Sequence, residues 1–230
     1  MPDSTLRRRL LLTGLTCALI FCVITSFIVL TNHDNLFDQW LWHLAISERA
    51  DALNPLVARF TQAFNTVPQT IYATVAAIAL SWAHRSAKPF FTIACGMVVA
   101  PGLMWVIKRI IDRLRPAEEF HLVPEYAYSF PSGHATGITA LSLGIYLAAY
   151  ALMGRTARVL TGVTAGILIL AVAASRIYAG VHWGTDVLAG ILLGACITLL
   201  GYAVFPEVIS GRTPGTLCKS PSSCTSRQPV

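Results

Sequence analysis

Apolar and polar positions along this chain segregate into long blocks, not into the short periods of a soluble domain. Leu10 to Leu30 carries no charge and directly follows Arg7-Arg8-Arg9. About 20 apolar residues suffice for a helix to cross the hydrocarbon core of a bilayer. The block is long for a signal peptide and no small-residue cleavage site follows it, so an uncleaved membrane helix is expected. Five further apolar runs lie at 67–83, 89–107, 134–153, 159–179 and 183–205. Residues 31–66 instead mix Asp34, Asp38, Glu48, Arg49, Asp51 and Arg59 with Trp and Phe, the pattern of an interfacial segment. Past Phe205 the chain turns to Ser, Pro, Thr and Gly, which predicts disorder. The expected fold is an all-α integral membrane protein with six transmembrane helices. It forms one domain over 1–209, with 31–66 interfacial and 210–230 a disordered cytoplasmic tail.

Composition narrows the class. Hydrophobic residues make up 55% of the 230 and charged residues only 12%, with mean hydropathy at +0.62. A soluble domain is about 45–50% apolar and about 25% charged, so a disordered chain, a nucleic-acid-binding domain and nearly any soluble enzyme are excluded. The net charge of +6 has a topological reading, because cytoplasmic loops collect Lys and Arg. Six helices place the N-terminus, 84–88, 154–158 and the tail on one side, with ten of the seventeen Lys and Arg. That side is expected to be cytoplasmic, with both termini inside and the chain in the cell's inner (plasma) membrane. The basic stretch 108–115 falls on the opposite side and runs against the bias. Cys17, Cys22, Cys95 and Cys196 sit in apolar runs, Cys218 and Cys224 in the tail, and none has metal-site spacing.

Charged groups at the ends of membrane helices are costly and mark function. Lys108 and Arg115 follow the third helix, and Ser132-Gly133-His134 opens the fourth. Ser175 and Arg176 close the fifth, while His182 and Asp186 open the sixth. All are expected at the outer, extracytoplasmic surface. Three cations there suit a phosphate dianion and the charge of a phosphoryl-transfer transition state. Were 108–115 helical, Lys108 and Arg115 would lie two turns apart on one face. A helix starting at Ser132 would offer backbone N–H groups, with Gly133 allowing close approach. His182 and Asp186, four apart, can pair so that one imidazole nitrogen is held and the other attacks. His134 is then placed to protonate the departing oxygen. No metal is required, and the carboxylates of a Mg²⁺ cage are missing.

These residues resemble the signatures of the type 2 phosphatidic acid phosphatase (PAP2) superfamily. Lys108 to Pro116 resembles KxxxxxxRP, Pro131 to His134 resembles PSGH, and Ser175 to Asp186 resembles SRxxxxxHxxxD. The resemblance covers about 70–205 and points to the membrane lipid phosphatase branch, near phosphatidylglycerophosphatase B-like and undecaprenyl-diphosphate phosphatase-like enzymes. It implies His182 as nucleophile, Asp186 as its orienting partner and His134 as general acid. Phosphate would be bound by Lys108, Arg115, Ser132, Gly133 and Arg176. The implied activity is metal-independent and cofactor-free removal of a terminal phosphate from a membrane lipid. Phosphatidylglycerol phosphate, undecaprenyl diphosphate and phosphatidate all fit.

Each residue alone also has a plainer reading. Lys108 and Arg109 fit snorkelling anchors, Asp186 a structural pair with Arg176, and Ser132 and Gly133 a helix cap. Arg109, Asp112 and Arg113 read as rim charges, and the five Trp as an interfacial belt. Two rival functions stay open: a lipid phosphotransferase using the same phosphohistidine, and a transporter that only binds a lipid or anion.

Overall fold

A computed structural model describes residues 4–32 and 35–204. The predicted disordered tail lies outside the described residues. The described chain forms eight α-helices: α1 (Ser4–Leu30), α2 (Leu36–Ser47), α3 (Asn54–Gln62), α4 (Thr66–Ala83), α5 (Lys88–Ile111), α6 (Gly133–Ala149), α7 (Arg155–Tyr178) and α8 (Gly184–Val204). Five stretches are long and apolar enough to cross a membrane: Ser4–Leu30, Lys88–Ile111, Gly133–Leu152, Arg155–Tyr178 and Gly184–Val204. The expected sixth, α4, has 18 residues and is not among them. Thr66, Gln69 and Thr70 in its first turns dilute the apolar run.

The bundle is organised around α6 and α8. Buried Leu10, Ala77, Ile93, Ile138, Val172 and Tyr202 bring α1, α4, α5, α6, α7 and α8 to one apolar core. Contact between α6 and α8 is close because small residues face each other. A Cβ on Gly190 would stand 2.6 Å from the Ser132 carbonyl oxygen and 3.0 Å from the Ala135 Cβ. Small residues let helix backbones approach where lipid offers no hydrophobic drive to association. Leu19 and Leu170, 66% and 64% exposed, face outward instead, as lipid contact requires.

Two polar contacts measure how far α4 reaches. Asn65, just before it, meets His134 in the first turn of α6, with 2.6 Å between Asn65 Oδ1 and His134 Nε2. His84, just after it, places Nε2 2.8 Å from the Ala148 carbonyl oxygen at the other end of α6. Helix α4 therefore runs alongside α6 over its whole length. At that far end Arg7 of α1 donates to the Ala203 carbonyl of α8 at 3.1 Å.

The segment read as interfacial folds into α2 and α3, which sit on the opposite end of the bundle. Arg49 donates to the Tyr178 carbonyl at 2.8 Å, and Tyr178 Oη donates to Asn54 Oδ1 at 3.1 Å. Of the Trp read as an interfacial belt, Trp40, Trp82 and Trp105 are exposed. Trp42 departs from it, buried edge-on against Phe120 and beside Trp183.

Candidate active site

Two chain reversals and one helix start build the site. Helix α5 stops at Ile111 because Asp112 turns left-handed (φ 45°, ψ 27°) and its N–H bonds the Lys108 carbonyl. The expected helix through 115 does not form; Arg115 returns on a loop, and Pro116 then keeps the chain extended. Helix α7 ends at Tyr178, with Gly180 at φ +74°. An L side chain rarely takes that conformation, and a Cβ there would meet the Phe120 carbonyl at 2.6 Å. Two residues later comes His182. Between these reversals Ser132 N-caps α6 and bonds through its N–H to the Asp186 carbonyl at 3.0 Å.

The eight candidate residues converge. His182 is 1% exposed, with Nε2 3.1 Å from Arg115 Nη1. Its Nδ1 lies 3.4 Å from Asp186 Oδ2 and 3.3 Å from Ser129 Oγ. Burial and the surrounding cations Arg115, Lys108 and Arg176 hold this imidazole well below its usual pKa, which favours the neutral ring. Burial likewise lowers the Arg115 guanidinium from its usual value, with Glu125 and Asp186 opposing. Arg115 donates to the carbonyls of Ala127 and Val181, both at 2.6 Å, and to Glu125 Oε2 at 3.2 Å. Arg176, 1% exposed, bonds Thr61 Oγ1 at 2.8 Å and Glu125 Oε1. Lys108 Nζ points to the carbonyls of Tyr128 and Ser129. Ser132 Oγ and Arg176 Nε are buried without a protein partner, two donors still unsatisfied.

Lys108, Arg115, Gly133, His134 and His182 line one cavity of about 410 Å³. The same cavity continues along Met97, Val98, Pro101 and Met104 of α5 and along Phe64, in the loop before α4. A polar end with cations and imidazoles and an apolar wall along α5 suit a headgroup and a chain. No three His, Cys, Asp or Glu side chains converge as a metal-ligand set among the described residues.

Four participants were not singled out from the sequence. Arg113, read as a rim charge, is 1% exposed and bonds Asp186 Oδ1 at 2.7 Å. It bonds Asp38 Oδ2 of α2 at 2.7 Å as well, so the ion pair of Asp186 is with Arg113 and not with Arg176, the plainer alternative. Ser129 donates to Asp186 Oδ2. Glu125 bridges Arg115 and Arg176, a carboxylate set where two guanidiniums meet. The nearest sequence signal for Arg113 was its place in a basic run that defied the loop-charge bias.

The chain matches the PAP2 superfamily over residues 89–210. An undecaprenyl-diphosphatase from Sulfolobus acidocaldarius is 30% identical over 196 residues, covering 81% of this chain and 88% of that protein. A decaprenylphosphoryl-5-phosphoribose phosphatase from Mycobacterium tuberculosis is 35% identical over 131 residues. That match takes in 55% of this chain and 66% of the relative, just under two thirds of its length. The crystal structure of a transmembrane PAP2 type phosphatidylglycerolphosphate phosphatase from Bacillus subtilis superposes with a TM-score of 0.75. It covers 85% of this chain and 96% of that one at 23% identity, which is a likeness of fold. With more than half its residues inside the family match and a transmembrane member sharing its fold, the chain belongs to the PAP2 superfamily, as a multi-pass membrane protein.

Proposed function

We propose that this protein is a lipid phosphatase that removes a terminal phosphate from a membrane lipid through a phosphohistidine on His182. The observation that carries the reading is the division of labour on the His182 ring. Its Nδ1 is held toward Asp186 while Nε2 faces Arg115 in a cavity with an apolar extension. Lys108, Arg115 and Arg176, with the unsatisfied Ser132 hydroxyl and the N–H groups opening α6, bind the phosphate oxygens. Nε2 attacks phosphorus, an N–P bond forms and the P–O bond to the lipid breaks. His134, tethered by Asn65, gives its proton to the leaving oxygen. It then takes a proton from the water that cleaves the N–P bond and releases phosphate.

The membrane topology belongs to the same reading. Because α4 runs the length of α6, it crosses wherever α6 crosses; its 18 residues extend about 27 Å, close to the roughly 30 Å hydrocarbon core. Six crossings in one domain would bring both termini to one side, and the Lys and Arg bias of that side favours the cytoplasm, with the site at the extracytoplasmic surface. Terminal phosphates of the phosphatidylglycerol phosphate, polyprenyl diphosphate and phosphatidate class all meet that geometry.

Phosphate release from purified protein across a panel of these lipids, with His182→Ala alongside, tests the reading. Metal-independent release and a trapped phosphohistidine are expected, both lost in the variant; full activity in His182→Ala overturns it. Release without any added alcohol acceptor separates hydrolysis from phosphotransfer, and turnover itself separates both from transport.

A further inference from the structure

Asp38 lies outside the region matched to the family, in the short helix α2. It is 1% exposed, and every oxygen it has is engaged. Oδ2 accepts from Arg113 Nη2 at 2.7 Å, from Thr185 Oγ1 at 2.5 Å and from Asn35 Nδ2 at 2.7 Å. Oδ1 accepts from the Thr185 N–H at 2.8 Å. Arg113 in turn spends its other terminal nitrogen on Thr185 and on Asp186 Oδ1. A continuous buried line therefore runs Asp38, Arg113, Asp186, His182.

Charge along that line decides what Asp38 does. Arg113 on Asp186 alone would make a neutral pair, and a neutral pair does little to steady positive charge on the neighbouring imidazole. Two carboxylates around one guanidinium keep a net negative charge beside His182. That charge matters at one moment: when Nε2 forms its bond to phosphorus and the lipid oxygen departs, the ring, still protonated on Nδ1, becomes cationic. We propose that Asp38 is a positioning residue for phosphoryl transfer, acting through Arg113 to keep Asp186 both fixed and effectively negative toward His182. The inference rests on His182 being the nucleophile. It gives α2 a reason to be folded onto the start of α8, rather than lying at the interface as a free amphipathic segment.

A joint that merely fastened α2 to α8 would satisfy the same hydrogen bonds, so the test must read charge. Asp38→Asn keeps the shape and removes the charge. Its kcat should fall by about tenfold or more, with KM and vanadate affinity within about threefold of the parent. The acid limb of kcat/KM should also move to lower pH. His182 faces Asp186, the Ser129 hydroxyl, Lys108, Arg115, Arg176 and His134, and losing one negative charge nearby disfavours its protonation further. A kcat within about twofold of the parent with an unmoved limb overturns the proposal. So does vanadate affinity falling in step with kcat, which marks a collapsed site.

Should Asp38→Asn not give monodisperse protein, the double variant Asp38→Asn/Arg113→Met takes its place. It removes one charge of each sign and leaves the summed charge beside His182 unchanged, so turnover well above that of Asp186→Asn is expected. Turnover at the Asp186→Asn level overturns the proposal. His182→Ala, run in parallel, separates the two failures. An active His182→Ala removes the nucleophile itself, whereas an inactive one beside an unimpaired Asp38→Asn removes only the role of Asp38.

Discussion

The membrane-embedded middle of the bundle and its site-bearing end are held together by different physics. In the middle, small residues let backbones touch, as at Gly194 against Thr139 and Ala140, and polar groups are satisfied within a helix or by the helix alongside. Tyr202 Oη, for example, donates to the Gly144 carbonyl at 2.8 Å. At the end, α2, α3 and four loops are joined by ion pairs and carbonyl contacts among segments up to 147 residues apart. Packing in the middle is additive and tolerant at its rim. Charge at the end is cooperative: a buried guanidinium that loses one carboxylate costs about 3–5 kcal/mol, far more than the intact pair contributes.

The largest effect that bears on this contrast should come from Arg176→Ala. It removes a cation from the proposed phosphate site and leaves Glu125 with Arg115 alone, so on that proposal vanadate affinity should drop by about a hundredfold. Unchanged binding would place the anion elsewhere. Gly190→Ala tests the junction of the two regions. The added methyl has no room against the Ser132 carbonyl, and about 1–3 kcal/mol of stability should be lost, read as a lower Tm in detergent. Because Ser132 opens α6 at the site, activity should fall with it, which is where the two regions meet. Glu125→Gln should act in the opposite sense to Arg176→Ala. With the bridging carboxylate neutralised, vanadate should bind about fivefold tighter, an effect that shrinks as salt is raised. The smallest effect should be at the lipid-facing rim. Leu170→Ala, at a side chain 64% exposed, should shift stability by no more than about 0.5 kcal/mol and leave turnover unchanged.

The same contrast explains what could be read from the chain before its fold. Apolar block length marked six runs as crossings, and five are long and apolar enough to cross; in α4, Thr66, Gln69 and Thr70 line the cavity and dilute the run. Lys108, Arg115, Ser132, His134, Arg176, His182 and Asp186 were visible because their spacing is local to three short stretches and the charges sit where membrane helices cannot hide them. Asp38, Ser129 and Glu125 carry no such mark. Each acquires its place only when a loop or a distant helix is folded against α8 or α7. Arg113 looked like a rim charge because its two carboxylates lie 75 and 73 residues away. Asp112, turning left-handed, also ended the helix that would have put Lys108 and Arg115 on one face.

The Glu125 bridge bears on the end of the catalytic cycle as well as its start. In the proposed cycle, hydrolysis of the N–P bond would leave a small dianion beside Lys108, Arg115 and Arg176, a poor arrangement for letting go. Glu125, already paired with Arg115 and Arg176, stands at high effective concentration for both guanidiniums. On that reading it would reclaim them as phosphate loosens, and the site would expel its product by closing on an anion of its own.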